Sequence, residues 1–256
     1  MGFEQIRLWS DGPVARITLH RPERRNALSL EMMGEILAAL RAIPDDAAVV
    51  VIAAEGPVFS AGHDLSEMVG REPEFYDQLF DVCTELMLAL HDLPQPVIAK
   101  VQGTATAAGC QLVAACDLAV ASEAARFATP GVKVGLFCST PMVPLTRVIG
   151  RRRALQMLFT GEPIDARTAL DWGLVNEVVA ADDLDDAVES LAHTMLQFSP
   201  RVIGLGKRAF YAQVDRDEVG AYRASSVVMA ANAADDDAQE GFAAFLAKRP
   251  PNWERT

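Results

Sequence analysis

Two short stretches of small residues carry the chemistry open to this chain: Phe59-Ser60-Ala61-Gly62-His63-Asp64-Leu65 and Gly103-Thr104-Ala105-Thr106-Ala107-Ala108-Gly109-Cys110. Each follows a run that reads as a buried strand and leads into a helix or tight turn. With no bulky side chain in the way, backbone N–H groups there can approach a ligand directly. The second junction adds the partial positive charge of a helix N-terminus. Two such N–H groups aimed at one oxygen stabilise an enolate or a tetrahedral oxyanion, and losing one donor typically costs ~10²–10³ in rate. For either junction taken singly, close packing alone is the preferred reading.

The elements that must position these junctions alternate between strand and helix. Residues 4–20 predict a hairpin turning at Asp11-Gly12, with Ala15, Ile17 and Leu19 alternating with Arg16, Thr18 and His20. Ser29 is placed to cap a helix that has Leu30, Met33, Leu37 and Leu40 on one face. Val49–Ala54 is a continuous apolar run typical of a strand buried on both sides, and a loop with Gly56, Pro57 and Gly62 follows. A helix near 74–91, a strand Val97–Gln102, a short Ala-rich helix near 107–116 and a strand Asp117–Ala121 continue the pattern. From about residue 141 the chain turns helical, at 141–159, 165–172, 183–197, 200–213 and 217–246, with a strand at 175–179. The fold class is therefore α/β, with a core over 1–195 and a helical C-terminal region over 196–256.

Composition narrows the function. Acidic residues outnumber basic ones, 35 to 23, and the net charge of −12 argues against a nucleic-acid surface. A small anionic ligand held by a local Arg/Lys cluster remains open. Cys83, Cys110, Cys116 and Cys138 lack metal-ligand spacing and read as buried free thiols of a reducing compartment. The four histidines form no HExxH pattern, so no metal site is expected. No apolar run approaches the ~18 residues of a membrane span. The first residues have neither a basic start with an apolar stretch nor an Arg-rich, acid-poor character, which leads to an expectation of a cytoplasmic protein. Gly204-Leu205-Gly206-Lys207-Arg208-Ala209 fits a loose G-x-G-x-x-A pattern, but it sits in a helical stretch with no βαβ unit around it.

Several motifs lie in register over essentially the whole chain. They run from Arg21-Pro22-Glu23-Arg24-Arg25-Asn26-Ala27-Leu28 through PVFSAGHDLSEM, VIAKVQGTATAAGCQLVAACDLAVAS, RFATPGVKVGL and FTGEPIDARTALDWGLVNEVV to EGFAAFLAKRPP. In this the sequence resembles the crotonase (enoyl-CoA hydratase/isomerase) superfamily. The resemblance implies a spiral of ββα units and an acyl-CoA thioester as substrate, with coenzyme A part of that substrate and no separate cofactor. It assigns the two oxyanion N–H groups to His63 and Ala108; at His63 the backbone is what matters, and the imidazole is expected to point away. It places the adenine and pantetheine near Leu28, Ala61, Asp64 and Leu65. Arg24 or Arg25, with Lys248 from another subunit, meets the CoA phosphates, although each is equally readable as solvated surface charge. Asp117 is a structural position. The superfamily also implies a homotrimer or homohexamer, and Phe242, Phe245 and Leu246 suit such contacts as well as an ordinary helix face.

The sequence departs from a hydratase of this family at both acid–base positions. Gln111 stands where the first glutamate belongs, in Ala-Gly-Cys-Gln, and Gly131 where the second belongs, after Ala128-Thr129-Pro130. General acid–base work needs groups that exchange protons near neutral pH. Gln111 can hydrogen-bond but cannot act as a base, and Gly131 is expected to supply only backbone and space. Nearby lies Gly135-Leu136-Phe137-Cys138-Ser139-Thr140-Pro141, in a region where other branches place a catalytic acid. Cys138 or Ser139 as a nucleophile would need a base that the sequence does not show. Ser139 or Thr140 as the N-cap of the Pro141 helix is the simpler reading. The expected function is thus an enolate-stabilising acyl-CoA enzyme, grouped with enoyl-CoA hydratases or isomerases but without their glutamates. The alternatives are a decarboxylase or hydrolase of CoA esters, or a non-catalytic acyl-CoA-binding protein.

Overall fold

The N-terminal hairpin forms as its alternation predicts: β1 (Ile6–Asp11) and β2 (Val14–Leu19) pair antiparallel around Gly12, which takes a φ of +55°. The computed structural model describes residues 2–253. Ser29 caps α1 (Leu30–Arg41), its hydroxyl accepting the Met32 N–H at 3.0 Å, and Met33, Ile36, Leu37 and Leu40 turn inward. β3 (Val49–Ala54) is buried except at its last residue, as a strand covered on both faces must be.

From here the chain repeats a unit of two strands and a helix. β3 is followed by a short β4 (Val58–Ser60), then α2 (Leu65–Met68) and α3 (Pro73–Asp92). β5 (Val97–Val101) is followed by β6 (Thr104–Thr106) and α4 (Ala108–Ala115). β7 (Leu118–Ser122) is followed by β8 (Arg126–Ala128), a 3₁₀ turn, α5 (Met142–Ile149) and α6 (Arg151–Thr160). β9 (Ile164–Asp165), α7 (Ala166–Trp172), β10 (Glu177–Val179) and α8 (Leu184–Leu196) complete the spiral. The first strands of the units join the hairpin in a sheet ordered β1-β2-β3-β5-β7-β10, parallel beyond β1; the second strands form a smaller sheet, β4-β6-β8-β9. This is the expected spiral of ββα units.

The smaller sheet is what the sequence did not reveal. Its strands are two or three residues long, too short for any alternation, and β4 lies inside the stretch expected to be loop. Two helical stretches also divide. Gly150, at φ +75°, separates α5 from α6 within 141–159, and Asp235 opens a new helix within 217–246.

Beyond α8 come α9 (Pro200–Gln213), α10 (Glu218–Ala233) and α11 (Asp236–Ala247). The glycine pattern at 204–209 lies inside α9, and Gly204 is small because a Cβ there would come within 3.1 Å of Pro94. The same helix fastens itself to the core through Lys207, which is 9% exposed. Its ammonium donates to the carbonyls of Leu90 (2.7 Å) and Gln95 (2.9 Å) and to the Asp117 carboxylate (2.6 Å). Asp117 also accepts the Val97 N–H and the Tyr211 hydroxyl, each at 2.7 Å, which bears out its structural assignment. Among the described residues no helix is long and apolar enough to cross a membrane.

Candidate active site

Both small-residue junctions open onto one cavity of about 310 Å³, lined by Ala61, His63, Leu65, Phe80, Ala107, Ala108 and the segment from Pro130 to Pro141. Parallel strands deliver them side by side. β4 and β6 pair, so the residues that follow each strand emerge together. Contact is close: a Cβ on Gly62 would stand 2.8 Å from the Ala107 Cβ and 3.1 Å from the Ala108 nitrogen, and one on Gly109 would stand 2.5 Å from the Ser60 carbonyl oxygen. Glycine at both places is what allows the loops to meet.

The backbone leaves two N–H groups without partners. Leu28 and His63 form a single parallel bridge, in which the Leu28 N–H donates to Gly62 (2.7 Å) and the Asp64 N–H donates to Leu28 (3.4 Å). A parallel bridge of this kind turns the N–H of its central residue, His63, to the other side. Ala108 is the first residue of α4, so its N–H has no carbonyl one turn earlier. Neither N–H bonds to any described residue.

Ala107 holds the second junction in a conformation rarely found outside glycine, φ +50° and ψ −120°. Its N–H donates to Ala128 at 2.9 Å and its carbonyl accepts from Gln111 at 3.0 Å, so both sides of the strained residue are tied. Such a residue costs on the order of 1–3 kcal/mol. Ala107→Gly is therefore expected to raise stability by about 1 kcal/mol after glycine's own entropy is counted. A denaturant titration reads this as a higher midpoint at unchanged slope; a lower midpoint would contradict it.

The first junction is tied down by a residue the sequence reading passed over. Asn26, fully buried at φ +49°, accepts the Arg21 N–H and donates to the carbonyls of Glu55 and Val58, while its own carbonyl accepts the Ser60 hydroxyl. Asparagine tolerates this left-handed conformation better than most residues, which was the available signal. Phe80, from α3, was missed because nothing local marks it; it packs its ring edge-on against His63.

A sequence profile described as Enoyl-CoA hydratase/isomerase matches residues 10–256. The chain belongs to this family. It is 47% identical over 243 residues to the mitochondrial enoyl-CoA hydratase domain-containing protein 3 of Rattus norvegicus, covering 94% of this chain and 81% of that one. Among solved structures it superimposes on an enoyl-CoA hydratase of Mycobacterium smegmatis with a TM-score of 0.96, at 46% identity over 98% of this chain and 99% of that one. The structure of human enoyl Coenzyme A hydratase domain-containing protein 3 gives 0.95, at 45% identity, 98% of this chain and all of that one. The cytoplasmic placement expected from the first residues does not stand. The relatives that match at 46–48% identity are mitochondrial by name, and that finding outweighs a reading of N-terminal composition.

Gln111 and Gly131, which the resemblance puts in place of two glutamates, lie in surroundings other than those expected. Gln111 is 4% exposed and does not line the cavity; its carbonyl oxygen lies 3.8 Å from the Cys83 Sγ, whose thiol burial pushes up to about 12. Gly131 does not supply the space expected of it. The Leu136 carbonyl oxygen occupies the position where a side chain would begin, 1.9 Å from a Cβ built on Gly131, with the Cys138 Sγ at 2.8 Å. A left-handed Gly135 turns the chain back, and the Leu136 N–H bonds to Gly131 at 3.0 Å.

Neither Ser139 nor Thr140 caps α5, a second correction. Pro141 already has helical backbone, and the Met142 N–H donates to Cys138 at 3.1 Å, so the two hydroxyl residues lie within the turn rather than before it. The Ser139 hydroxyl meets only the Phe137 carbonyl, at 3.4 Å. Burial raises the Cys138 pKa, with a nearby Gly131 backbone hydrogen bond opposing it, and no base stands beside it to draw off the proton. No carboxylate lines the cavity among the described residues.

Between the cavity-lining His63 and Leu65 in sequence, Asp64 caps α2 through the Ser66 N–H (3.1 Å) and hydroxyl (2.6 Å) and faces Arg24 at 3.5 Å. Burial works to raise its pKa, but the Ser66 hydrogen bonds and Arg24 outweigh that and hold it below the usual range. Arg24 also donates to the Ser66 hydroxyl at 2.8 Å. Arg25 is exposed, its carbonyl accepting the Ala61 N–H at 3.0 Å. Leu28 is wholly buried beneath them, while Leu65 is half exposed at the rim. Lys248 ends α11 in left-handed backbone, and among the described residues no hydrogen bond or ion pair joins it to this group.

Proposed function

We propose that this protein binds an acyl-CoA thioester and stabilises its enolate between the His63 and Ala108 N–H groups, by chemistry that does not use a hydratase's two glutamates. The observation that carries this reading is the pair of unpartnered N–H groups on a mostly apolar cavity that, among the described residues, no carboxylate lines. In such surroundings two donors act on a developing oxyanion with little competition from water. Arg24 and Arg25 offer positive charge at the mouth for the CoA phosphates, with Leu28, Ala61, Asp64 and Leu65 along the route of adenine and pantetheine. Residues 196–256 are assigned to contacts with neighbouring copies in a trimer or hexamer, which suits Phe242, Phe245 and Leu246 at 53%, 82% and 80% exposure and would bring a partner's Lys248 to the phosphates.

The missing carboxylates favour a second reading, a protein that holds acyl-CoA without turning it over. Both readings require that a CoA ester binds. A panel of saturated, unsaturated and malonyl-type CoA esters, incubated in D₂O and followed by mass spectrometry and by release of CoA or CO₂, separates them. The enolate reading expects deuterium uptake or decarboxylation, since loss of CO₂ needs an oxyanion site but no base. Binding with neither would leave the second reading standing. Hydration of crotonyl-CoA at ordinary hydratase rates would overturn the reading of Gln111 and Gly131.

A further inference from the structure

Resting on the acyl-CoA reading, we propose that the His63 imidazole is the proton-transfer group of this site, exchanging a proton with the α-carbon of the bound thioester while the N–H of the same residue helps hold the carbonyl oxygen. The ring does not turn out to solvent. It stands edge-on to Phe80, centroids 5.5 Å apart, and both Nδ1 and Nε2 are buried with no hydrogen-bond partner. A buried imidazole ordinarily gives at least one nitrogen a partner, because an unsatisfied buried polar group costs about 1–3 kcal/mol. Two orphaned nitrogens on a residue that lines the cavity indicate that the missing partner is a ligand.

Every other polar side chain around the cavity is unsuited to the task. Lys133 is paired outward with Glu162 at 2.7 Å, Cys138 is held as a thiol, the Ser139 hydroxyl bonds its own loop, and Thr140 offers only an alcohol, which is too weak a base to take a proton from carbon. Burial lowers the pKa of His63; the Leu28 carbonyl lies near enough to the ring to oppose this in part but makes no hydrogen bond to either nitrogen, and no charged side chain acts on the ring. The imidazole is therefore neutral near pH 7 and keeps one lone pair free.

The step balances without a further reagent. The α-C–H bond breaks, its electron pair becomes the enolate double bond, and the carbonyl pair moves onto the oxygen between the two N–H groups. The proton forms a new N–H bond on the imidazole. The imidazolium and the enolate are then an ion pair in apolar surroundings, which offsets the desolvation cost of charging the ring. Returning the proton reverses each movement.

His63→Gln and His63→Phe test this, because every side chain at position 63 leaves the backbone N–H in place. Butyryl-CoA is the probe, with affinity measured by calorimetry and α-deuterium uptake in D₂O by mass spectrometry, on variants shown to melt with the same cooperativity as the parent. The expected result is unchanged affinity and an exchange rate lower by about 10² or more, within the range of a lost acid–base group. Exchange at the parental rate in both variants would overturn the proposal, as would a parent protein that binds the ester and exchanges nothing. If no CoA ester binds the parent, the acyl-CoA reading itself fails, a result distinct from either.

Discussion

A chain carrying Gln111→Glu and Gly131→Glu together should show no hydratase activity and should lose stability, although it introduces glutamate at the two positions where the sequence resemblance expects it. The reason at position 131 is steric. The first side-chain atom would lie 1.9 Å from the Leu136 carbonyl oxygen and 2.8 Å from the Cys138 Sγ. The carbonyl is backbone, pinned by the Leu136 N–H on Gly131, so it cannot step aside as the end of a flexible side chain can. Forcing atoms into a filled site costs about 1–3 kcal/mol in ordinary cores and more where backbone must move. A loss of at least about 3 kcal/mol is expected, or a rearranged loop from 131 to 138. At position 111 the objection is electrostatic. A carboxyl there would take the place of a side chain that is 4% exposed, beside the Cys83 thiol and outside the cavity lining, and burial without a cation favours its protonated form, which cannot accept a proton. Denaturant titration and loss of the enoyl absorbance of crotonyl-CoA measure the two halves. A double variant as stable as the parent that hydrates crotonyl-CoA would show that the loop yields and that this account of the pocket is wrong.

The largest effect expected away from the cavity is that of Lys207→Met. Methionine fills similar volume but takes the Lys207 donor from the Leu90 and Gln95 carbonyls and leaves the Asp117 carboxylate with the Val97 N–H and the Tyr211 hydroxyl but no cation. Burial lowers the Lys207 pKa and the Asp117 carboxylate opposes that fall, the pattern of a desolvated charge maintained by its counter-ion. Breaking one side of a buried pair typically costs about 3–5 kcal/mol. At ~2–4 °C per kcal/mol for chains of this size, that is a fall of roughly 10 °C in Tm, measurable by calorimetry. The companion variant Asp117→Asn should cost less than additively when combined with Lys207→Met, because both remove the same interaction. Full additivity would mean that the two residues act separately.

What the sequence made legible follows element length. β3 and α9 take the bounds their residue patterns predict, because six consecutive apolar residues or four amphipathic turns are long enough to carry a period. The smaller sheet carries none, and β9 is only two residues long. At the site, glycine and alanine at the two junctions were visible because small residues between a buried strand and a helix have few other uses. Gly131 was visible only as an absence. That its place is taken by the carbonyl of Leu136 depends on a left-handed turn at Gly135, and no residue in Gly135–Pro141 names its partner across the turn. The His63 ring was expected to point away, since nothing in the sequence brings Phe80 to it.

Asp117 and Lys207 are 90 residues apart in the chain, and that separation has a consequence during synthesis. The strands around Asp117 leave the ribosome long before Lys207, the cation that pairs with Asp117. Until α9 emerges and docks, the carboxylate and two carbonyls at that edge of the main sheet face water, so native closure of the core waits on the C-terminal helices. A nascent chain paused before residue 207 should accordingly be more easily cleaved by protease around Leu90–Val97 than one released complete.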